Sequence, residues 1–103
     1  MLFDAAGKVV EAVKAAQVDI AFVGIDPARS ADMLQTPPYV IIEDAYLVRD
    51  GSPIKTNADV DRPGNRIAVG KASAYDLYLS REIKASSLQR APTSPAVVDY
   101  FLA

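Results

Sequence analysis

The stretch Val18 to Arg29, VDIAFVGIDPAR, leaves a chain of this kind few ways to fold. Val18, Ile20, Ala21, Phe22, Val23 and Ile25 form an apolar run broken only by Asp19 and Gly24. Such a run reads as a strand covered on both faces, as in a parallel sheet. Asp26-Pro27 then reads as a helix start: aspartate caps free N–H groups, and proline at the first helical position has no N–H to lose. In open α/β sheets ligands sit beyond the carboxyl ends of strands, where helix N-termini favour anions. Arg29 stands close to that point with a planar fork that matches a carboxylate. The stretch predicts half of a site for a small anionic or zwitterionic molecule.

A chain of 103 residues is one small domain at most, in which folding buries about two-thirds of the surface. The core is expected to be thin. A net charge of −2, with the 11 basic residues scattered, gives no electrostatic basis for binding nucleic acid or an anionic membrane. The absence of cysteine and histidine excludes disulfides, thiol catalysis, ordinary zinc sites and imidazole acid–base chemistry. No apolar run approaches the ~20 residues of a membrane span. The N-terminal segment lacks the basic and apolar regions of a secretory signal, so the chain as written is expected to stay in the cytosol.

In order, residues 4–17 predict an amphipathic helix capped by Asp4, with Ala6, Val9, Val10, Val13 and Ala16 on one face and Gly7 weakening it slightly. The strand at 18–25 follows, then a helix from Pro27 to about Leu34 that ends before Thr36-Pro37-Pro38. Tyr39 to Arg49 predicts a long second strand or two short ones, with a bend at Glu43-Asp44. Turns are expected at 50–53 and 62–65, with one helical turn at 57–61 between them. Arg66 to Gly70 predicts a short strand, Ser73 caps a helix over 74–84, and Leu88 to Ala91 predicts another strand. The cap-then-proline signal recurs at Pro92-Thr93-Ser94-Pro95 and opens a last helix carrying Val97, Val98, Phe101 and Leu102. This alternation argues for an α/β fold with parallel pairing. The first helix lacks the strand that would ordinarily precede it, and the chain stops within the last one. Both ends read as cut.

Three stretches, QVDIAFVGIDPAR, TPPYVIIEDAYLV and NADVDRPGNRIAVGKASAYD, occur in that order. They resemble the polar amino acid type of periplasmic solute-binding protein, the ligand-capturing component of ABC importers. The resemblance implies two α/β lobes, each a parallel-rich sheet with flanking helices, closing by a hinge on a small ligand. On that basis residues 1–39 correspond to the later part of lobe one, 40–50 to the first hinge-crossing strand, and 51–103 to the first half of lobe two. The resemblance implies an ABC permease as partner of the intact parent, periplasmic in location, with an amino acid or similar small carboxylate as ligand. No cofactor and no metal are implied.

Carried over by position, Arg29 matches the arginine that pairs with the ligand's carboxylate, and Gly24 the position whose backbone meets the ligand. Asp26 stands where the family usually has threonine. Ser73 and Ala74 match the residues opening the lobe-two helix, where N–H groups also reach the carboxylate. Ala72 replaces the usual glycine. Each position has a competing structural role. Arg29 would pair with Asp26 or Asp32, Asp26 and Ser73 would cap helices, and Phe22 and the tyrosines would pack cores.

An enzymatic reading has little to stand on. Glu43 and Asp44, adjacent on a strand, point to opposite faces, and no phosphate loop, nucleophile elbow or metal-ligand cluster is present. Some dehydratases of aromatic-acid biosynthesis share the bilobal fold, and turnover of a cyclohexadienyl acid would distinguish them. The remaining alternative is a non-binding fragment that self-associates. Uncovered strand edges and helix faces favour a homodimer, with domain swapping as one route.

Overall fold

A computed structural model describes all 103 residues. Its regular elements are α1 (Ala6–Lys14), α2 (Pro27–Ser30), a 3₁₀ turn (Asn57–Asp59), β1 (Arg66–Gly70), α3 (Ala74–Glu82), β2 (Ser87–Ala91) and α4 (Ser94–Leu102). The chain is a small α/β protein whose one sheet is the parallel pair β1–β2, registered from Arg66↔Ser87 to Gly70↔Ala91.

That sheet is where sequence and packing agree. The apolar centre of RIAVG suits a pleated surface buried on its faces, and Val69 at 1% exposure and Ala91 at 0% are its most enclosed side chains. The crossover helix α3 starts at Ser73, whose hydroxyl accepts the Asp76 N–H at 3.2 Å. The Thr93 hydroxyl likewise accepts the Ala96 N–H at 3.3 Å, and Pro95 occupies the first turn of α4. Val10, Ala12, Val60 and Leu79 complete a core as thin as the chain length predicts.

The loop entering β2 is pinned by Asp61. Its carboxylate accepts the N–H groups of Lys84, Ala85 and Ser86 at 2.8, 2.8 and 2.9 Å, which holds its pKa down at about 2. A carboxylate with a folded pKa below its unfolded value, about 3.9, stabilises the fold above that value, and the contribution is lost as pH falls through the folded one. Wild type is therefore expected to exceed Asp61→Asn in urea midpoint at neutral pH, with the gap closing toward pH 2. A gap that stays constant over that range would show that the ionised carboxylate is not what holds the loop.

Several expectations are corrected. Neither residues 18–25 nor 39–49 form a strand, and residues 18–25 and 33–48 make no backbone–backbone hydrogen bonds. A strand exists only against a partner, and no other segment of this chain lies in register beside them. Phe22, expected in a core, is 77% exposed, and Tyr39 and Tyr78 are exposed as well. The first helix is shorter than predicted. Its cap is Ala5, with no side-chain hydrogen bond, because Asp4 pairs with Lys8 at 2.6 Å instead. Ala16 lies beyond the helix at φ 54°. The second helix stops at Ser30 rather than near Leu34. Gly7 is closely packed: a Cβ there would stand 3.0 Å from the Ala72 Cβ and 3.2 Å from the Lys71 carbonyl. No helix is long and apolar enough to cross a membrane.

Candidate functional site

The β1–α3 loop is an abrupt reversal. Ala72 takes φ 60°, a left-handed conformation that costs a side-chain-bearing residue about 1 kcal/mol or more. Asp76 holds the strained turn in place. Its carboxylate accepts the Ala72 N–H at 2.8 Å and the Arg90 Nε–H at 2.9 Å, and Ser80 donates to it at 3.3 Å. The glycine expected at position 72 would relieve the strain, but the turn forms with alanine. As a result the Ala72 carbonyl faces the segment 24–29.

Arg29 meets it there. Its Nη2 donates to the Ala72 carbonyl at 2.8 Å and its Nη1 to the Gly24 carbonyl at 2.6 Å. The side chain bridges two parts of the chain 43 residues apart, at 3% exposure. Burial pulls its pKa down, with the charge of Asp26 opposing, and the guanidinium stays protonated all the same. Its Nε is buried without a hydrogen-bond partner. The competing expectation of an Arg29 ion pair with Asp26 or Asp32 is not what forms. Asp32 pairs with Lys14 at 2.8 Å. Asp26 takes Arg81 in a two-pronged contact, Nη1 to Oδ1 at 3.2 Å and Nη2 to Oδ2 at 3.0 Å.

Asp26 is a cap, as its sequence context suggested: Oδ1 accepts the Ala28 N–H at 2.9 Å. It is also the buried end of the pair with Arg81, a partner 55 residues away. The Arg81 guanidinium first, and then the Ala28 N–H, hold its carboxyl below the usual carboxylate range against the opposing effect of burial. Gly24 lies directly against the start of α3, where a Cβ would come within 2.9 Å of the Ala74 Cβ.

Gly24, Asp26 and Arg29 thus lie on one side, and Ser73 and Ala74 on the other, of a single junction between the 24–29 segment and α3. Gly24 packs on Ala74, while Arg29 and Asp26 bridge the junction through Ala72 and Arg81. Ser73 is buried and engaged as the α3 cap. A cleft of about 230 Å³ adjoins the junction, lined by Gly7, Val10, Lys14, Arg29, Ala72 and Leu77 among others. Its size suits only a small solute, below the 300–1,000 Å³ of drug-sized sites. A larger groove of about 1230 Å³ lies elsewhere, between residues 44–54 and the β1, α3 and α4 surfaces; it is mostly apolar and contains none of the five positions. Of the five positions only Arg29 lines the smaller cleft, beside Glu11 and Lys14.

Sequence reasoning missed Arg81 and Asp76. Asp76 had one local signal, an acid in the first turn of a capped helix. Arg81 had none, since its role rests entirely on a contact far away in the chain. In comparisons with known proteins the chain matches no family model, no curated protein and no solved structure.

Proposed function

We propose that the chain is part of a solute-binding protein of the type that feeds ABC importers, with Arg29 holding the carboxylate of an amino acid or similar small acid. The reading implies capture without turnover, with the permease as partner of the intact parent. On this reading residues 1–39 derive from lobe one, 40–50 from the hinge crossing and 51–103 from lobe two of a periplasmic-binding-protein-like fold.

The observation that carries the reading is the condition of Arg29. It is a buried cation that makes no ion pair, has an unpartnered Nε–H, and lines a cleft of small-solute size. A buried charge is ordinarily paired, and a carboxylate is the group that a guanidinium fork fits best. The two carbonyls now on its terminal nitrogens are neutral acceptors. The charge of Asp26 acts on it from nearby, but both oxygens of that carboxylate are bonded to Arg81 and neither to Arg29.

The test is native mass spectrometry and calorimetry with an equimolar mixture of L-amino acids, followed by the single species retained. Removing one partner of a buried, hydrogen-bonded charge pair costs about 2–5 kcal/mol, so Arg29→Ala is expected to weaken binding by at least about 30-fold. Arg29→Lys, which keeps the charge and loses the fork, should fall between. Failure of the wild-type protein to bind any of them, or equal binding by Arg29→Ala, overturns the reading.

A further inference from the structure

Residues 33–48 and 18–25 have all their backbone donors and acceptors free of backbone partners, in the most apolar part of the chain. The two segments meet where the Phe22 and Tyr39 rings stack edge to face at 5.9 Å, so they form one surface. Ile20, Phe22, Tyr39, Ile41 and Ile42 all point to solvent there, with Ile41 the most exposed of them at 85%.

The chain as a whole is more open than a compact domain of its length. A compact chain of 11.0 kDa exposes about 5,600 Å², whereas this one exposes 7737 Å². Its radius of gyration is 15.1 Å, against about 13 Å for a compact domain of this length. The excess of about 2,100 Å² is spread over the whole chain, and the ~800 Å² that each partner buries in a standard interface fits within it.

The chemistry of the surface selects what covers it. Unpaired N–H and C=O groups require a partner with backbone groups of its own, which a lipid surface does not offer. The two segments carry three acids, Asp19, Glu43 and Asp44, and no base, but the stretch from Met33 to Ile42 has no charged side chain. A second copy of the chain brings an identical apolar edge with the same unmet hydrogen bonds. A two-fold axis aligns a strand antiparallel to its own copy. Pro37 and Pro38 have no N–H and end the pairing on one side. Centring the axis on Ile41 sets Val40 opposite Ile42 and Tyr39 opposite Glu43, so the acidic pair at 43–44 never faces itself. Like charges directly opposite would be destabilising.

We infer that the chain self-associates as a two-fold dimer through antiparallel pairing of Tyr39–Glu43, with Phe22 and Ile20 covering the flank. The inference rests on the exposed segments alone and stands whether or not Arg29 binds a solute.

Sedimentation velocity over a concentration series, with vesicles of neutral and anionic lipid as controls, is the first measurement. Wild type is expected to be a dimer and to ignore both vesicles. Ile41→Glu, at a side chain outside the core, is expected to be a monomer with unchanged far-ultraviolet circular dichroism. Because the chain has no cysteine, Ile41→Cys is expected to give a symmetric disulfide dimer under a mild oxidant, whereas Ser94→Cys, on an exposed helix start elsewhere, is not. That crosslink decides the matter should Ile41→Glu fail to fold. A monomeric wild type, vesicle binding in place of dimerisation, or equal crosslinking at positions 41 and 94 would overturn the proposal.

Discussion

Asp26→Ala is expected to lower the folding stability at neutral pH by about 2–3 kcal/mol, from the lost helix cap together with the lost charge-assisted bonds to Arg81. In a domain of this size that is a fall in melting temperature of about 8 °C or more. The core is thin and the total stability correspondingly small. Asp26 is 3% exposed and ties α2 to the last turn of α3, a contact that no apolar packing duplicates. Arg81, at the outer end of the pair, is free to rejoin the solvent. The penalty is therefore that of lost bonds and not of a stranded charge, which would be larger.

The pH dependence identifies the mechanism. The Asp26 carboxyl is held below its ordinary value by Arg81, so its stabilisation is in full force above the unfolded pKa of about 3.9 and disappears as pH falls through the lower folded value. The difference between wild type and Asp26→Ala should shrink across that acid window. Asp26→Ser, which keeps a capping oxygen and gives up the ion pair, should recover only the cap contribution. Chemical denaturation at several pH values checks both statements. A pH-independent difference, or full recovery by serine, would assign the effect to the cap and leave Arg81 without a role.

What could be read from the sequence divides along the range of the interactions. The caps at Asp26 and Ser73 are decisions made within a few residues and are where the sequence placed them, while the last helix is capped by Thr93, one residue before the Ser94-Pro95 signal. The β1–α3–β2–α4 run was legible for the same reason: each strand is short and bounded by turns, β1 is apolar at its centre, β2 offers only Leu88 and Ala91, and the two pair as neighbours in sequence. The stretches 18–25 and 39–49 carry an equally strong apolar pattern and form no ladder. Pattern reports that a segment wants burial and pairing, but whether a partner exists is a property of the whole assembly. The site shows the same division. That Gly24, Asp26 and Arg29 lie across a junction from Ser73 and Ala74 is not something periodicity predicts. The contacts that fix it, Arg29 to Ala72 and Asp26 to Arg81, span 43 and 55 residues and left no local signature.

Gly24→Ala tests that convergence directly. The added Cβ would lie 2.9 Å from the Ala74 Cβ, closer than two carbon side-chain atoms come, and Ala74 has no flexible end that can move aside. The 24–29 segment must then back away from α3. Overpacking of this kind costs about 1–3 kcal/mol, and here the displacement also draws Arg29 off the Ala72 carbonyl. Gly24→Ala should therefore lose about 2 kcal/mol of stability and, where a ligand is bound, lose affinity through Arg29 without touching the ligand. Ala74→Gly removes the opposing methyl. The double variant Gly24→Ala, Ala74→Gly is expected to regain part of that loss even though glycine alone at position 74 is slightly unfavourable in a helix. Such a sign change in a double-mutant cycle arises only between groups in contact. Additive effects would mean that the 24–29 segment does not sit on α3 in solution, and the junction that brings Arg29 to Ala72 would fall with it.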